Sequence, residues 1–229
     1  MNLVFLPGFM LDESLWKDVL PFIDNPEQLM FGDLCSGNSI ETIAQANLSK
    51  APDTFTLIGF SMGGYVAREM VRQAPDRIQS LILIATSARA DDDQQALQRI
   101  TAAKNISATN FRGLSQVSIK ESLGTSSANN PELIEKIRLM GAGLGKDAFI
   151  LQSSIRRTGD LDQLSVIKCP TLVVAGDHDR LRSLDEVTQL QQGIPNSELA
   201  VIQDCGHMIP LEQPSLLGPL ISGWLKQYS

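Results

Sequence analysis

The stretch Gly59-Phe60-Ser61-Met62-Gly63 restricts the fold of this chain more than any other part of the sequence. It follows the apolar run 54–58 and precedes residues 64–73, whose apolar side chains recur at helical spacing, so a strand, a sharp turn and a helix are predicted in that order. On such a turn the serine backbone is strained, its Oγ projects outward, and the strand and helix leave no room for side chains two positions away. Gly59 and Gly63 satisfy that requirement because glycine has no Cβ. The pattern and its context favour Ser61 as a nucleophile over a serine that only caps the helix.

A serine nucleophile needs a general base, and the chain has two histidines. His207 lies in a loop just after the alternating run 198–202, at the carboxyl end of a predicted strand, where α/β sheets place their functional residues. His178 stands between two carboxylates in a polar turn and is interpreted as an ordinary surface histidine. We therefore predict His207 as the base.

The third member of such a triad is an acid that orients the imidazole and stabilises the imidazolium. Two aspartates, Asp177 and Asp179, follow the apolar strand 171–175 and lie between the nucleophile and the base in the chain. Asp204 is too close in sequence to the histidine to fold back onto it and is better suited to closing its own turn. We predict Asp179 as the acid, and Asp177 remains the alternative because it can instead shape the turn at the strand end.

These motifs together resemble the α/β-hydrolase fold superfamily, and the resemblance covers nearly the whole chain. Leu6-Pro7-Gly8-Phe9 resembles the oxyanion loop of that family, 59–64 its nucleophile elbow and 171–179 its acid strand. Gly206-His207-Met208 resembles its histidine loop, and the order serine, acid, histidine is that of the family. In the family the acid is usually the third residue after the glycine of its strand, which again selects Asp179.

The resemblance implies an oxyanion hole formed by two backbone N–H groups, those of Phe9 and Met62. The chain departs from the family at Pro7, where a histidine is common, but the N–H of Phe9 does not depend on that side chain. The implied activity is that of a serine hydrolase that cleaves a carboxylic ester of a small molecule through an acyl-enzyme. Neither a metal nor an organic cofactor is expected.

Strand and helix patterns alternate along most of the chain, which predicts an α/β fold with a mostly parallel six-stranded sheet and helices on both faces. The strands are predicted near 2–6, 28–33, 54–60, 78–85, 170–176 and 198–203. The helices are predicted near 12–23, 40–48, 62–73, 183–191 and 213–227. We expect a single domain over residues 1–229, the usual size for one domain of this class.

The alternation breaks between about residues 88 and 164, where we predict a helical lid inserted in the domain and covering Ser61. Residues 91–93 are aspartates that can cap a helix at about 94–105, and Pro131 suits the start of another. A further helix is expected to carry Phe149, Ile150 and Ile155. An apolar underside of this lid predicts an acyl or ring-bearing substrate. The candidate lower wall of the pocket is formed by residues that flank the motifs, Phe9, Met10, Phe60, Met62 and Met208.

Composition excludes several other classes of function. The net charge is −7 and there is no run of lysine or arginine, so binding to nucleic acid is not expected. No apolar stretch reaches the roughly 20 residues that a membrane helix needs, and residues 1–6 lack the basic start of a signal peptide. The three cysteines are scattered and show no metal-ligand spacing, and Cys205 is interpreted as a small apolar residue rather than a nucleophile. We expect a cytoplasmic protein, and its oligomeric state stays open.

Other reactions are compatible with the same triad and fold. The chain could act on a lactone or a thioester, cleave a C–C bond as a hydrolase or lyase, or work as a cofactor-free haloperoxidase. It could also bind a ligand with little turnover, although binding alone does not require three triad residues. Arginines fixed under the lid would favour acidic metabolites, and Arg156 and Arg157 are the candidates for that role.

Overall fold

A computed structural model of the chain describes residues 1–24, 26–105 and 111–228. Its centre is a six-stranded sheet in the order β2-β1-β3-β4-β5-β6, and every neighbouring pair is parallel. The strands are β1 (Asn2–Leu6), β2 (Gln28–Phe31), β3 (Phe55–Phe60), β4 (Ile78–Ile84), β5 (Thr171–Gly176) and β6 (Ser197–Ile202). All six predicted strands are confirmed, and their ends differ from the prediction by at most two residues.

Helices cover both faces of the sheet, as predicted. Alternate residues of each central strand point to opposite faces, so Leu57 packs in one apolar cluster and Ile58 in the other. The Leu57 cluster includes residues of three helices: α1 (Ile40–Leu48), α2 (Met62–Gln73) and α6 (Leu184–Gly193). The Ile58 cluster includes residues of α8 (Pro214–Tyr228), which follows the short α7 (Ile209–Glu212).

The helix predicted over 12–23 is wrong. That segment forms two short 3₁₀ turns instead, Glu13–Trp16 and Leu20–Phe22. Pro21 explains the difference, because proline has no N–H to donate and its ring clashes with the carbonyl four residues earlier in a continuous helix. The segment still buries Leu15 and Trp16 against the sheet.

In the described part of the segment between β4 and β5 lie three α-helices, followed by a 3₁₀ helix (Leu161–Val166). The α-helices are α3 (Asp93–Asn105), α4 (Gln116–Ser122) and α5 (Pro131–Ser154). The helix expected at 94–105 and the start at Pro131 are confirmed, whereas residues 106–110 of this segment lie outside the described residues. The further helix expected to carry Phe149 and Ile150 is confirmed as the part of α5 that follows a non-helical residue at Gly145 (φ 84°), whereas Ile155 caps its end rather than lying within it.

Within the described part of the chain, no helix combines the length and apolar character needed to cross a membrane.

Candidate active site

Ser61 occupies the turn between β3 and α2 with a strained backbone, φ 51° and ψ −113°. Positive φ is unfavourable for a residue with a side chain, so the surrounding packing must hold it. A Cβ at Gly59 would lie 2.7 Å from the carbonyl oxygen of Gly63, and one at Gly63 would lie 2.4 Å from that of Pro7. Both glycines are therefore needed for the close approach of strand, helix and first loop, as the sequence predicts.

The structure brings the three predicted triad residues together in a hydrogen-bonded chain. His207 Nε2 lies 2.9 Å from Ser61 Oγ, and His207 Nδ1 lies 2.8 Å from Asp179 Oδ2. The side chains of His207 and Asp179 are 6% and 2% exposed. With Nδ1 donating to the carboxylate, Nε2 is left to accept the proton of Ser61, which is the arrangement that activates a serine nucleophile.

The two aspartates that follow β5 have different partners. Asp179 also accepts hydrogen bonds through Oδ1 from the backbone N–H groups of Leu181 and Arg182, at 2.8 and 2.9 Å, which fix its carboxylate. Asp177 instead accepts a hydrogen bond from the backbone N–H of Cys205 at 3.1 Å, so it holds the backbone of the histidine loop and not the imidazole. The geometry therefore favours Asp179 over Asp177 as the partner of the imidazole.

His178 lies away from this chain of hydrogen bonds. Its ring is about half exposed and is 4.0 Å from Asp177 and 3.8 Å from Asp204. Neither His178 nor Asp204 reaches Ser61.

Phe9 and Met62 offer backbone N–H groups at the two positions expected of an oxyanion hole. Met62 is the first residue of α2, where a helix leaves its N–H groups without an intrahelical acceptor. Neither N–H donates to a protein acceptor within the described residues. The next N–H, that of Met10, is instead held by the Gln152 side chain at 2.8 Å.

Comparison with known proteins agrees with this geometry. A family model described as the alpha/beta hydrolase fold matches residues 39–214. The chain belongs to the alpha/beta hydrolase fold family. A pimeloyl-[acyl-carrier protein] methyl ester esterase from Nitrosomonas europaea is 27% identical, and the match covers 90% of this chain and 88% of that protein. A protein of the same name from Legionella pneumophila strain Paris is 24% identical, with 99% and 95% covered. A thermophilic esterase from Thermogutta terrifontis, solved with malate bound, matches at 28% identity and a TM-score of 0.86, with 100% and 91% covered.

Three contacts that hold the triad or the oxyanion loop of this alpha/beta hydrolase were not predicted. Thr86 Oγ1 donates to the carbonyl of Ser61 at 2.8 Å, and the N–H of His207 donates to the carbonyl of Ser122 at 2.9 Å. Gln152 is the third, through the N–H of Met10. No local pattern marks these residues, because each acts on a partner that is distant in sequence.

Of the five residues proposed for the lower wall of the pocket, only Phe9 is partly exposed. Its ring lies 5.7 Å from the ring of Phe149, and the Phe149 ring lies 5.3 Å from that of Phe111. Phe9 of the first loop therefore forms an aromatic group with two residues of the segment between β4 and β5. The other four belong to the buried core rather than an open wall: Met10, Phe60, Met62 and Met208.

The two arginines considered for acidic ligands differ. The Arg156 side chain is 68% exposed and pairs with Asp93, also exposed. The Arg157 side chain is 9% exposed, and its Nη2 lies 3.7 Å from the sulfur of Met62.

Cys205 is fully buried, and burial raises the pKa of its thiol, so it stays protonated and is not a nucleophile. In the described residues no group of three or more histidine, cysteine, aspartate or glutamate side chains is arranged to hold a metal ion.

Proposed function

We propose that this alpha/beta hydrolase is a serine esterase that cleaves a carboxylic ester of a small molecule with Ser61, His207 and Asp179. The observation that carries the proposal is the position of His207, within 2.9 Å of the serine oxygen and 2.8 Å of the aspartate. The esterase names of the relatives from Nitrosomonas europaea and Legionella pneumophila support the choice of an ester.

In the proposed reaction, His207 takes the proton of Ser61 as Oγ attacks the ester carbonyl, and Asp179 stabilises the imidazolium. The N–H groups of Phe9 and Met62 donate to the oxyanion, a contribution worth about 3–4 kcal/mol per donor in comparable enzymes. His207 then gives its proton to the departing alcohol, which leaves an acyl group on Ser61. Water attacks that acyl-enzyme with His207 again as base, releasing the carboxylic acid and restoring the serine.

We further propose that residues 88–164 act as a helical lid over the site. Two contacts support this role: Gln152 of α5 holds the N–H of Met10 beside the oxyanion loop, and Ser122 of α4 accepts from the N–H of His207. The aromatic group around Phe149 supplies an apolar underside suited to an acyl chain.

A second candidate is an acyl methyl ester carried by an acyl carrier protein, because two of the relatives bear that description. A location in the cytoplasm is also proposed, supported by three free cysteines, Cys35, Cys169 and Cys205, which suit a reducing compartment.

The test is hydrolysis of p-nitrophenyl acetate, butyrate and octanoate by the wild type, Ser61→Ala and His207→Asn. We expect turnover by the wild type and none above background by either variant. His178→Asn is the matched control and should retain full activity, because its imidazole is half exposed and away from Ser61. Equal inertness of wild type and variants would overturn the simple-esterase proposal and favour lactones, C–C bond substrates or ligand binding without turnover. The second candidate is tested separately, by comparing the hydrolysis of acyl methyl esters attached to an acyl carrier protein with that of the same esters free in solution.

A further inference from the structure

Arg157 is a buried cation whose guanidinium makes no hydrogen bond to an oxygen within the described residues. The residue is 8% exposed. Its Nε is buried without any partner, its Nη2 faces the sulfur of Met62, and its ion pair with Asp91 is 3.6 Å long. Burying a charge without hydrogen bonds is costly, so such a group needs a reason to be retained.

Arg68 shows that, in a structural role, each guanidinium nitrogen of a buried arginine in this chain has a hydrogen-bond acceptor. Arg68 is 0% exposed and makes a two-point hydrogen bond with Asp160, at 2.8 and 2.9 Å. It also donates to the carbonyls of Gly64 and Ser87. The unsatisfied state of Arg157 is therefore specific to its position.

Two further arginines surround Arg157 and leave the group with an excess of positive charge. Burial first, and then the positive charge of Arg99, lower the pKa of Arg157 to about 10, and Arg182 adds to the effect. Like Arg157, both neighbours have a buried Nε without a partner. The one carboxylate hydrogen-bonded within this group, Asp91, is already held by Arg99 at 2.6 Å. Arg99 and Arg157 thus share a single aspartate, and Arg182 adds a third positive charge that acts on Arg157.

This arginine group adjoins the proposed reaction centre. Arg157 contacts the side chain of Met62 and lies 6.0 Å from the ring of Phe9, and these are the two residues whose N–H groups are proposed to bind the oxyanion. Arg182 donates its backbone N–H to the carboxylate of Asp179 at 2.9 Å. A carboxylate bound by Arg157 would therefore lie beside the two residues proposed to bind the oxyanion.

We propose that Arg157, assisted by Arg99 and Arg182, binds a carboxylate of the substrate, so that the preferred esters carry a free acid group. A carboxylate supplies the oxygen acceptors that Arg157 lacks, and the planar guanidinium matches it with two parallel hydrogen bonds. The inference rests on the proposed esterase function and narrows its substrate class. The carboxylate can stand on the acyl half or on the alcohol half of the ester, and the substrates below separate the two cases.

The test compares kcat/KM for acidic and neutral esters of matched length. Monomethyl succinate, glutarate and adipate carry the acid on the acyl half and are set against methyl butyrate, pentanoate and hexanoate. Butyryl glycolate carries it on the alcohol half and is set against ethyl butyrate. We expect the wild type to prefer one acidic series by at least about tenfold, since loss of one hydrogen-bonded charge pair in a buried site costs this much or more.

Arg157→Met should lower kcat/KM for the preferred acidic series by about 100-fold and change the neutral series by less than about threefold. Arg157→Lys should recover part of the acidic activity because it keeps the charge but loses the planar fork. Arg156→Met is the matched control and should change neither series, since its guanidinium is 68% exposed. The melting temperature of Arg157→Met should stay level or rise, because Asp91 keeps its bond to Arg99 while an unsatisfied charge is removed.

Failure of this inference can be distinguished from failure of the esterase proposal. If neutral and acidic esters are cleaved equally, or if Arg157→Met loses both equally, the carboxylate site is wrong and the esterase stands. If no ester is cleaved and a fluorophosphonate does not label Ser61, the esterase proposal falls. The carboxylate site can then still be tested by adding succinate or glutarate and measuring the melting temperature, with sodium chloride at equal ionic strength as the reference. Either dicarboxylate should raise the melting temperature of the wild type but not that of Arg157→Met. No rise in either protein would overturn the inference.

Discussion

The carboxylate of Glu212 accepts a hydrogen bond from the backbone N–H of Gly124 at 2.7 Å, across 88 residues of sequence. Its other oxygen accepts from the N–H of Met208 at 3.1 Å, next to the candidate base. One side chain thereby ties the histidine loop to the segment between β4 and β5. The two segments lie too close together for a side chain at Gly206, because a Cβ there would lie 2.1 Å from the backbone nitrogen of Gly124.

Glu212→Gln should lower kcat about tenfold with little change in KM, because an amide nitrogen replaces one of the two acceptor oxygens and loosens the loop that positions His207. Steady-state kinetics on a p-nitrophenyl ester measures the effect. Glu198→Gln, on the exposed part of β6, is the control and should match the wild type. A change confined to KM would contradict a positioning role for Glu212.

Asp179→Asn should reduce kcat/KM by about 10³- to 10⁴-fold, because the amide cannot hold the imidazole in the required tautomer or stabilise its positive charge. Asp177→Asn should stay within about threefold, since its carboxylate faces the N–H of Cys205 rather than the imidazole. Purified variants are compared on the same ester, with circular dichroism to check folding. The opposite ranking would make Asp177 the acid.

Gln152→Leu should lower kcat by about 10- to 100-fold and also lower the melting temperature. Its Oε1 is the acceptor for the N–H of Met10, which would be left buried without a partner, and the adjacent Phe9 donor would shift. The exposed Gln163→Leu is the control for loss of a polar side chain. Unchanged kinetics in the Gln152 variant would remove this residue from the support of the oxyanion loop.

The residues that could be predicted from the sequence are those whose position is determined by their immediate neighbours in the chain. Gly59 and Gly63 are required by the steric demands of one turn, and His207 was selected because it follows a strand and has a single rival. The strands were found because apolar residues of a buried parallel sheet form short runs between turns. The 3₁₀ turns around Pro21 replace the helix predicted over 12–23, because proline lacks the N–H that a continuous helix needs at this position.

Contacts between distant segments leave no such local pattern. Gln152 meets Met10 across 142 residues, and nothing near either residue indicates the other. Arg156 and Arg157 are adjacent and identical in type, yet only the fold decides that one is 68% and the other 9% exposed. Burial of a polar residue depends on which segments converge there, which requires the three-dimensional structure.

Asp160 forms a largely buried ion-pair group with two arginines of α2. It binds Arg68 through Nε and Nη2 and Arg72 through Nη1 at 2.7 Å, and so fastens α2 to the chain that follows α5. Burial alone would raise the pKa of the Asp160 carboxyl, but the positive charges of Arg68 and Arg72 outweigh it and hold the pKa below its ordinary value of 3.8. The folded state therefore favours the ionised form more than the unfolded state does.

Asp160→Asn should lower the free energy of unfolding at pH 7 by about 3–5 kcal/mol, because Arg68 would remain buried without a countercharge. Since the pKa of Asp160 is lowered by folding, its contribution is fully present above 3.8 and is lost as the pH falls through the folded-state value. The difference between wild type and variant should accordingly be constant near neutral pH and shrink below pH 3.8. Urea unfolding across that range measures it, with the exposed Asp162→Asn as control. A difference that does not change with pH would show that the loss comes from packing and not from the charge of Asp160.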